Sequence, residues 1–195
     1  LFRLHKKKIG DGQLAITSAG VNALMLAFQL LIEAGDRVVE VVPLWPNLQE
    51  IPKILGATVR TVALRFHDSG WRLDVEELLK ELKPGTKALY INSPNNPTGW
   101  TITREEQKVI LEHCRKHGIW IFADDAYERL YFGDGAAAPS FLDIAEAEDR
   151  LHLRPPALEG WDGGRRASRP ALPDGTGAAR CRARGPATTP RARPG

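Results

Sequence analysis

Asp124 closes the apolar run Ile119-Trp120-Ile121-Phe122-Ala123, and Tyr127 follows three residues later. A run of that length and character is a buried strand that delivers a carboxylate to its end. A carboxylate so placed can pair with a protonated heterocyclic nitrogen and keep it charged. A tyrosine hydroxyl three residues on can bond another substituent of the same ring. Taken singly, Asp124 fits a structural cap as well, and Asp125 is expected to face solvent or cap the next segment.

Three further stretches have chemistry open to them. Ser18-Ala19-Gly20-Val21-Asn22 lies between an apolar start at Leu14–Ile16 and a helical pattern. Small residues there let backbone N–H groups at a helix N-terminus approach a phosphate, which the helix dipole favours. An ordinary strand-to-helix turn has the same composition. Pro43-Leu44-Trp45-Pro46-Asn47 is stiffened by its prolines, so Trp45 can stack on a flat ring or simply cover the core edge. Asn92-Ser93-Pro94-Asn95-Asn96-Pro97-Thr98-Gly99 is a rigid polar loop whose amides can donate to a ligand oxygen, or a plain turn. Neither Gly-x-Gly-x-x-Gly nor Gly-Lys-Ser/Thr occurs, which speaks against nicotinamide dinucleotides and nucleoside triphosphates.

The elements that must position these residues alternate in period. Leu24, Ala27, Phe28 and Leu31 recur at helical spacing, with Gly35 as a stop. Arg37–Val42 reads as a strand, 46–55 as a helix closed by Gly56, and Thr58–Leu64 as a strand. Asp74 caps a helix over 75–82, and Lys87–Asn92 is the next strand. Thr103-Arg104-Glu105-Glu106 is a capping box opening a helix that ends at His117-Gly118. Ile119–Ala123 is the last apolar strand. Apolar strands separated by ten-residue helices predict an α/β fold: a mostly parallel sheet in three αβα layers. Ligands of such sheets sit at the carboxyl ends of the strands, where all four stretches fall.

Charge divides the chain in two. The 27 Lys and Arg and 24 Asp and Glu split as 18 and 21 over residues 1–150, and as 9 and 3 over residues 151–195. The net +3 is therefore a property of a tail and not of a nucleic-acid-binding face. Residues 151–195 lack Ile, Val, Phe, Tyr, Met, Asn, Gln and Lys and are crowded with Arg, Pro, Gly and Ala. The expectation is one domain over 1–150 and a disordered or out-of-frame tail over 151–195. Cys114 and Cys181 form no disulfide or metal pattern, and Cys114 is expected to be a small buried hydrophobe. His5, His67, His113, His117 and His152 show no ligand spacing, so no metal is expected. No run approaches a membrane span and no signal peptide precedes the fold, which predicts a soluble, cytoplasmic protein. The chain starts at Leu1 rather than at a methionine, and a missing start is expected.

Together the four stretches resemble the class I/II aminotransferases of the fold-type I pyridoxal-phosphate family, from about Leu14 to Phe132. Asn95-Asn96-Pro97-Thr98-Gly99 and Asp124-Asp125-Ala126-Tyr127 are the most specific pieces. The resemblance implies that the backbone of Ala19, Gly20 and Val21 binds the phosphate of pyridoxal 5′-phosphate, with Val21 lacking the hydroxyl some members place there. It implies that Trp45 stacks on the ring in an aspartate-aminotransferase-like Trp-Pro-Asn context. Asn96 and Tyr127 would bond the phenolic oxygen, with Trp45 and Asn96 near the substrate, and Asp124 would hold the ring nitrogen protonated. An amino acid and a 2-oxo acid would be the substrates, and a homodimer the intact form.

The same resemblance calls for a Schiff-base lysine about thirty residues after Tyr127, in a Ser-x-x-Lys context followed by Gly-x-Arg. Here the region reads Pro155-Pro156-Ala157-Leu158-Glu159-Gly160-Trp161, and no lysine follows Lys116. The expectation is a truncated or frameshifted large-domain fragment without catalytic lysine, hence without transaminase activity. The other reading is a non-catalytic scaffold with an Arg-rich interaction tail.

Overall fold

Periodicity becomes architecture in the computed structural model, which describes His5, Lys7 and residues 13–154. Helix α1 (Gly20–Leu31) leads into strand β1 (Arg37–Val42), helix α2 (Pro46–Ile54) and strand β2 (Thr58–Ala63). A short hairpin of β3 (Arg65–His67) and β4 (Gly70–Arg72) precedes helix α3 (Val75–Glu81) and strand β5 (Thr86–Asn92). Helix α4 (Arg104–His117), strand β6 (Trp120–Asp124), a 3-10 turn (Phe141–Asp143) and strand β7 (Leu151–Arg154) complete it.

The main sheet has the order β2-β1-β5-β6-β7 and is parallel throughout. Its central strands β1, β5 and β6 are buried on both sides because helices cover both faces. Val39, Val41, Leu89, Ile91 and Ile121 pack with Leu78 of α3 and Ile110 of α4. Val38, Ala88, Tyr90 and Phe122 face the opposite way, onto Leu24 and Phe28 of α1 and Leu48 and Ile51 of α2. The chain steps outward from β1 to β2, then crosses back to β5 on the other side of β1. Loops leaving β1 and β5 therefore diverge and open a crevice at their carboxyl ends.

Local chemistry fixes the helix ends. Asp74 Oδ1 accepts the Glu77 N–H at 2.9 Å. Thr103 and Glu106 form the reciprocal box, Glu106 N–H to Thr103 Oγ1 at 3.2 Å and Thr103 N–H to Glu106 Oε2 at 2.8 Å. Each such cap stabilises by about 1 kcal/mol. Gly118 closes α4 at φ 65°, a left-handed conformation that costs glycine nothing.

Three features depart from the sequence reading. The apolar start at Leu14–Ile16 forms no strand such as a strand-to-helix turn would need, and its side chains are exposed, Ile16 almost fully. The β3–β4 hairpin was not anticipated, since three-residue strands are too short for alternation to register, although Asp68-Ser69-Gly70 carries the turn. Ile119–Ala123 is not the last strand: β7 pairs in parallel with β6, from Ile121 beside Leu151 to Asp124 beside Arg154. Its Leu-His-Leu-Arg alternation lies within 151–195, the segment expected to be a tail, and is too short to stand out there. The rest of that expected tail, 155–195 with Cys181, lies outside the described residues. Cys114 is buried, and burial pushes its thiol up to about 12.

Glu40 interrupts the apolar run of β1. It is fully buried, and among the described residues neither carboxylate oxygen has a hydrogen-bond partner. Burial pushes its pKa from 4.5 up to about 8; Lys53 on α2 opposes the rise and Glu50 adds to it. Between those values the folded chain holds a proton that the unfolded chain has released. Stability is therefore lost as pH rises through that window and levels off above about 8. Glu40→Met, which matches length without charge, is expected to gain on the order of a few kcal/mol at pH 9 and less at pH 5. Urea unfolding across pH 5–9 reads this directly; an unchanged pH slope would show that Glu40 is not the proton carrier.

Candidate functional site

The crevice is built by backbone register before any side chain acts. In the β5–β6 pairing Asn92 stands beside Asp124, so both strands end at the same level. Asn92 Nδ2 donates to the Asp124 carbonyl at 2.8 Å, and Asn92 Oδ1 accepts the Asn96 N–H at 2.8 Å. One amide thus ties the end of β6 to the loop leaving β5. Ser93 N–H also donates to the Asp124 carbonyl, at 3.1 Å.

The loop holds itself in shape. Asn95 Oδ1 accepts Thr98 N–H at 3.1 Å and the Thr98 hydroxyl at 2.6 Å, and Asn95 Nδ2 donates to the Pro43 carbonyl at 3.0 Å. That last bond joins the loop after β5 to the Pro43–Trp45 loop after β1. Gly99, at φ 71°, turns the chain so that its N–H reaches the Asn95 carbonyl. The peptide bonds before Pro43, Pro94 and Pro97 are cis.

Each residue singled out in the sequence has a definite place. Asp124 is buried at the end of β6; its Oδ1 accepts the Ala126 N–H at 3.1 Å and its Oδ2 the Tyr90 hydroxyl at 3.0 Å. Asn96 Nδ2 donates to the Tyr127 hydroxyl at 3.3 Å, so the two polar tips meet at one spot beyond the strand ends. They form one wall of a cavity of about 460 Å³ that also takes in Leu130, Tyr131 and Phe132. Trp45 is the N-cap of α2 and is 41% exposed, unlike a core-edge tryptophan. It is joined to the others through the Pro43–Asn95 bond. Ala19, Gly20 and Val21 open α1, where Ala19 is the extended N-cap and its methyl side chain makes no cap hydrogen bond. Those N–H groups stay directed at the crevice end of the helix.

Asp125 departs from expectation: it is buried, not solvent-facing. Alternation along β6 turns it away from Asp124, and its Oδ2 accepts the Ser140 hydroxyl at 2.6 Å. Burial pushes its pKa up to about 8, with Ser140 opposing and Glu128 adding to the rise. Burial likewise raises Glu128, which His5 counters from 3.2 Å. Asp143 accepts from His5 Nδ1 at 2.7 Å and from Arg104; burial works against it, yet these donors hold it below the usual carboxylate range. Arg104 Nη1 also donates to the Ser140 carbonyl at 2.7 Å. This polar layer lies under the turn that carries Tyr127. No metal-ligating cluster of three occurs among the described residues, and none of their helices is long and apolar enough to cross a membrane.

The sequence offers Asn92 only as one amide of the polar loop, not as the tie between β6 and that loop, and it does not single out Tyr90 or Ser140 as members of the assembly. A tyrosine inside an otherwise aliphatic strand was the available signal for Tyr90, and position at a strand's carboxyl end for Asn92. Nothing in the sequence announces Ser140, fifteen residues from Asp125.

The family model for aminotransferase class I and II matches residues 2–154. The chain belongs to this family. It is 35% identical to the aspartate aminotransferase of Thermotoga maritima over 149 residues, 75% of this chain and 38% of that protein. It is 31% identical to kynurenine–oxoglutarate transaminase 3 of Rattus norvegicus over 139 residues, 67% of this chain and 31% of that protein. The crystal structure of a Thermotoga maritima aspartate aminotransferase superposes with a TM-score of 0.70 and 32% identity over 76% of this chain and 39% of that one. The chain thus spans less than half the length of these relatives. Aminotransferases of this family work with pyridoxal 5′-phosphate.

Asn92 is the joint of the site, and its loss has a calculable cost. Asn92→Ala leaves the Asn96 N–H without its acceptor and is expected to cost about 2–3 kcal/mol in urea unfolding. Amide exchange should quicken in the loop of residues 95–99 while the amides of β1 and β5 keep their protection.

Proposed function

We propose that this chain is the cofactor-binding part of an aminotransferase that moves an amino group between an amino acid and a 2-oxo acid. The observation that carries the reading is the bonded set Asp124, Asn92, Asn96 and Tyr127 at the carboxyl ends of two adjacent parallel strands. The donor chemistry fits pyridoxal 5′-phosphate: an anionic oxygen pair for a ring nitrogen, two neutral donors for a ring oxygen, a flat face in Trp45, and a helix N-terminus for phosphate. When bound, the cofactor supplies an electron sink for a carbanion at the substrate α-carbon.

The chain's own groups do the positioning. Asp124 keeps a proton on the ring nitrogen, because a buried carboxylate favours a cation beside it. Asn96 and Tyr127 donate to the ring oxygen from one side. Trp45 covers a ring face and excludes water, and with Asn96 it lies toward the substrate. The N–H groups of Gly20 and Val21, opening from Ala19, receive the phosphate, assisted by the α1 dipole. The relatives span aspartate and kynurenine aminotransferases by name, so the amino donor is left open. A cytoplasmic setting and a homodimeric intact enzyme belong to the same reading.

Proton transfer at the α-carbon needs a lysine amine, and this sequence has none after Lys116. The chain is therefore read as a binder that does not transaminate. Adding pyridoxal 5′-phosphate is expected to give saturable binding, weakened about tenfold or more by Asp124→Ala through loss of a charged hydrogen bond. Borohydride treatment followed by mass spectrometry should find no stoichiometric lysine adduct. A single fully modified lysine, or binding indifferent to Asp124→Ala, would sink the reading.

A further inference from the structure

Tyr90 lies on β5 with its side chain on the α1 face of the sheet, and it is almost fully buried. Its hydroxyl donates to Asp124 Oδ2 at 3.0 Å across the strand pair. Its ring meets that of Phe28 at 5.9 Å with a 59° tilt, and Phe28 stacks on Phe122 at 4.1 Å and 15°. Phe122 precedes Asp124 by two residues and shares its face of β6. Phe28 lies eight residues into α1, roughly 12 Å along the axis from Gly20. One aromatic stack therefore spans from the helix that offers its N-terminus to phosphate to the strand that ends in the carboxylate.

We propose that Tyr90 is a positioning residue of this site, orienting the Asp124 carboxylate toward the ring nitrogen while Phe28 ties that orientation to the phosphate-binding helix. The proposal rests on the reading of the crevice as a pyridoxal-phosphate site. A ligand anchored by its phosphate presents its ring nitrogen at one distance and in one plane. The Ala126 N–H holds Oδ1, and the Tyr90 hydroxyl adds a hold at Oδ2 that restricts rotation of the carboxylate. The donor is a phenol, which orients the carboxylate without compensating its charge. A lysine or arginine at the same place would compete with the bound ring cation.

The test uses the full chain with pyridoxamine 5′-phosphate, whose amine forms no adducts with surface lysines, and its 1-deaza analogue, in which a C–H replaces the ring nitrogen. Dissociation constants are measured by calorimetry for wild type, Tyr90→Phe and Phe28→Leu. Wild type is expected to prefer the nitrogen-bearing ligand. Tyr90→Phe, which removes one oxygen and keeps the ring, should cut that preference about tenfold with the deaza constant unchanged. Phe28→Leu keeps the hydroxyl and loosens the ring that carries it, so the preference should fall about threefold. If Tyr90→Phe weakens both ligands equally, its role is packing and the proposal is overturned; an unchanged preference in a discriminating wild type overturns it too. Should Tyr90→Phe fail to fold, an unchanged preference in Phe28→Leu overturns the proposal by itself. A wild type that binds the two ligands equally, or neither, sinks the pocket reading, and the proposal falls with it.

Discussion

The parallel register of β5 against β6 is the constraint on which everything else rests. It sets Asn92 beside Asp124, and from that adjacency follow the amide bond to the Asp124 carbonyl, the acceptor for Asn96, and the approach of Asn96 to Tyr127. A one-residue slip would turn Asp124 to the opposite face of the sheet and bring Asp125 into the crevice. The slip is forbidden by the apolar layers, which need Tyr90 and Phe122 on one side and Ile91 and Ile121 on the other. Packing of the core thus decides which of two consecutive aspartates bonds Tyr90 and which bonds Ser140.

Asp124 and Asp125 show how opposite environments separate like residues. Asp124 lies at the open end, held by Tyr90 and a backbone N–H. Asp125 is turned into the layer of Ser140, Glu128, Asp143, Arg104 and His5, where burial raises its pKa to about 8 and keeps it protonated at neutral pH. Its neutrality limits repulsion between adjacent carboxylates. Glu40 shows the cost of the same physics without partners. Among the described residues it has no hydrogen-bonding counterpart to Ser140, and only the charges of Lys53 and Glu50 act on it.

Much of this was legible from the sequence, for a physical reason. Strands buried on both faces read as unbroken apolar runs, and helices with strong caps mark their own ends, so Arg37–Val42 and the Thr103 box are where the pattern put them. The meeting of Asn96 and Tyr127 beyond the strand ends, near Asp124, was legible as a placement, because parallel sheets bring the loops after their strands together. The hairpin at Arg65–Arg72 and strand β7 were not, since a three- or four-residue strand carries too little periodicity. Tyr90 and Ser140 were hidden for another reason: their importance is a cross-strand or cross-loop distance, and distance is not written in local composition. Asp125 misled because a second aspartate after a strand ordinarily points outward, and here a distant loop closes over it.

The bond from Asn95 to the Pro43 carbonyl joins residues 52 positions apart. Between them the chain makes an outward step to β2, the β3–β4 hairpin, α3 and a return past β1. Residues 58–81 of that excursion do not line the cavity of Asn96 and Tyr127, yet all of it must close before the two loops can meet. Loops of this separation form late, after their closure entropy has been met by the sheet itself. The crevice is then a reporter of completed topology: partly folded chains lack it. Any ligand that enters it selects the finished sheet over the unfolded chain and raises stability with its own concentration.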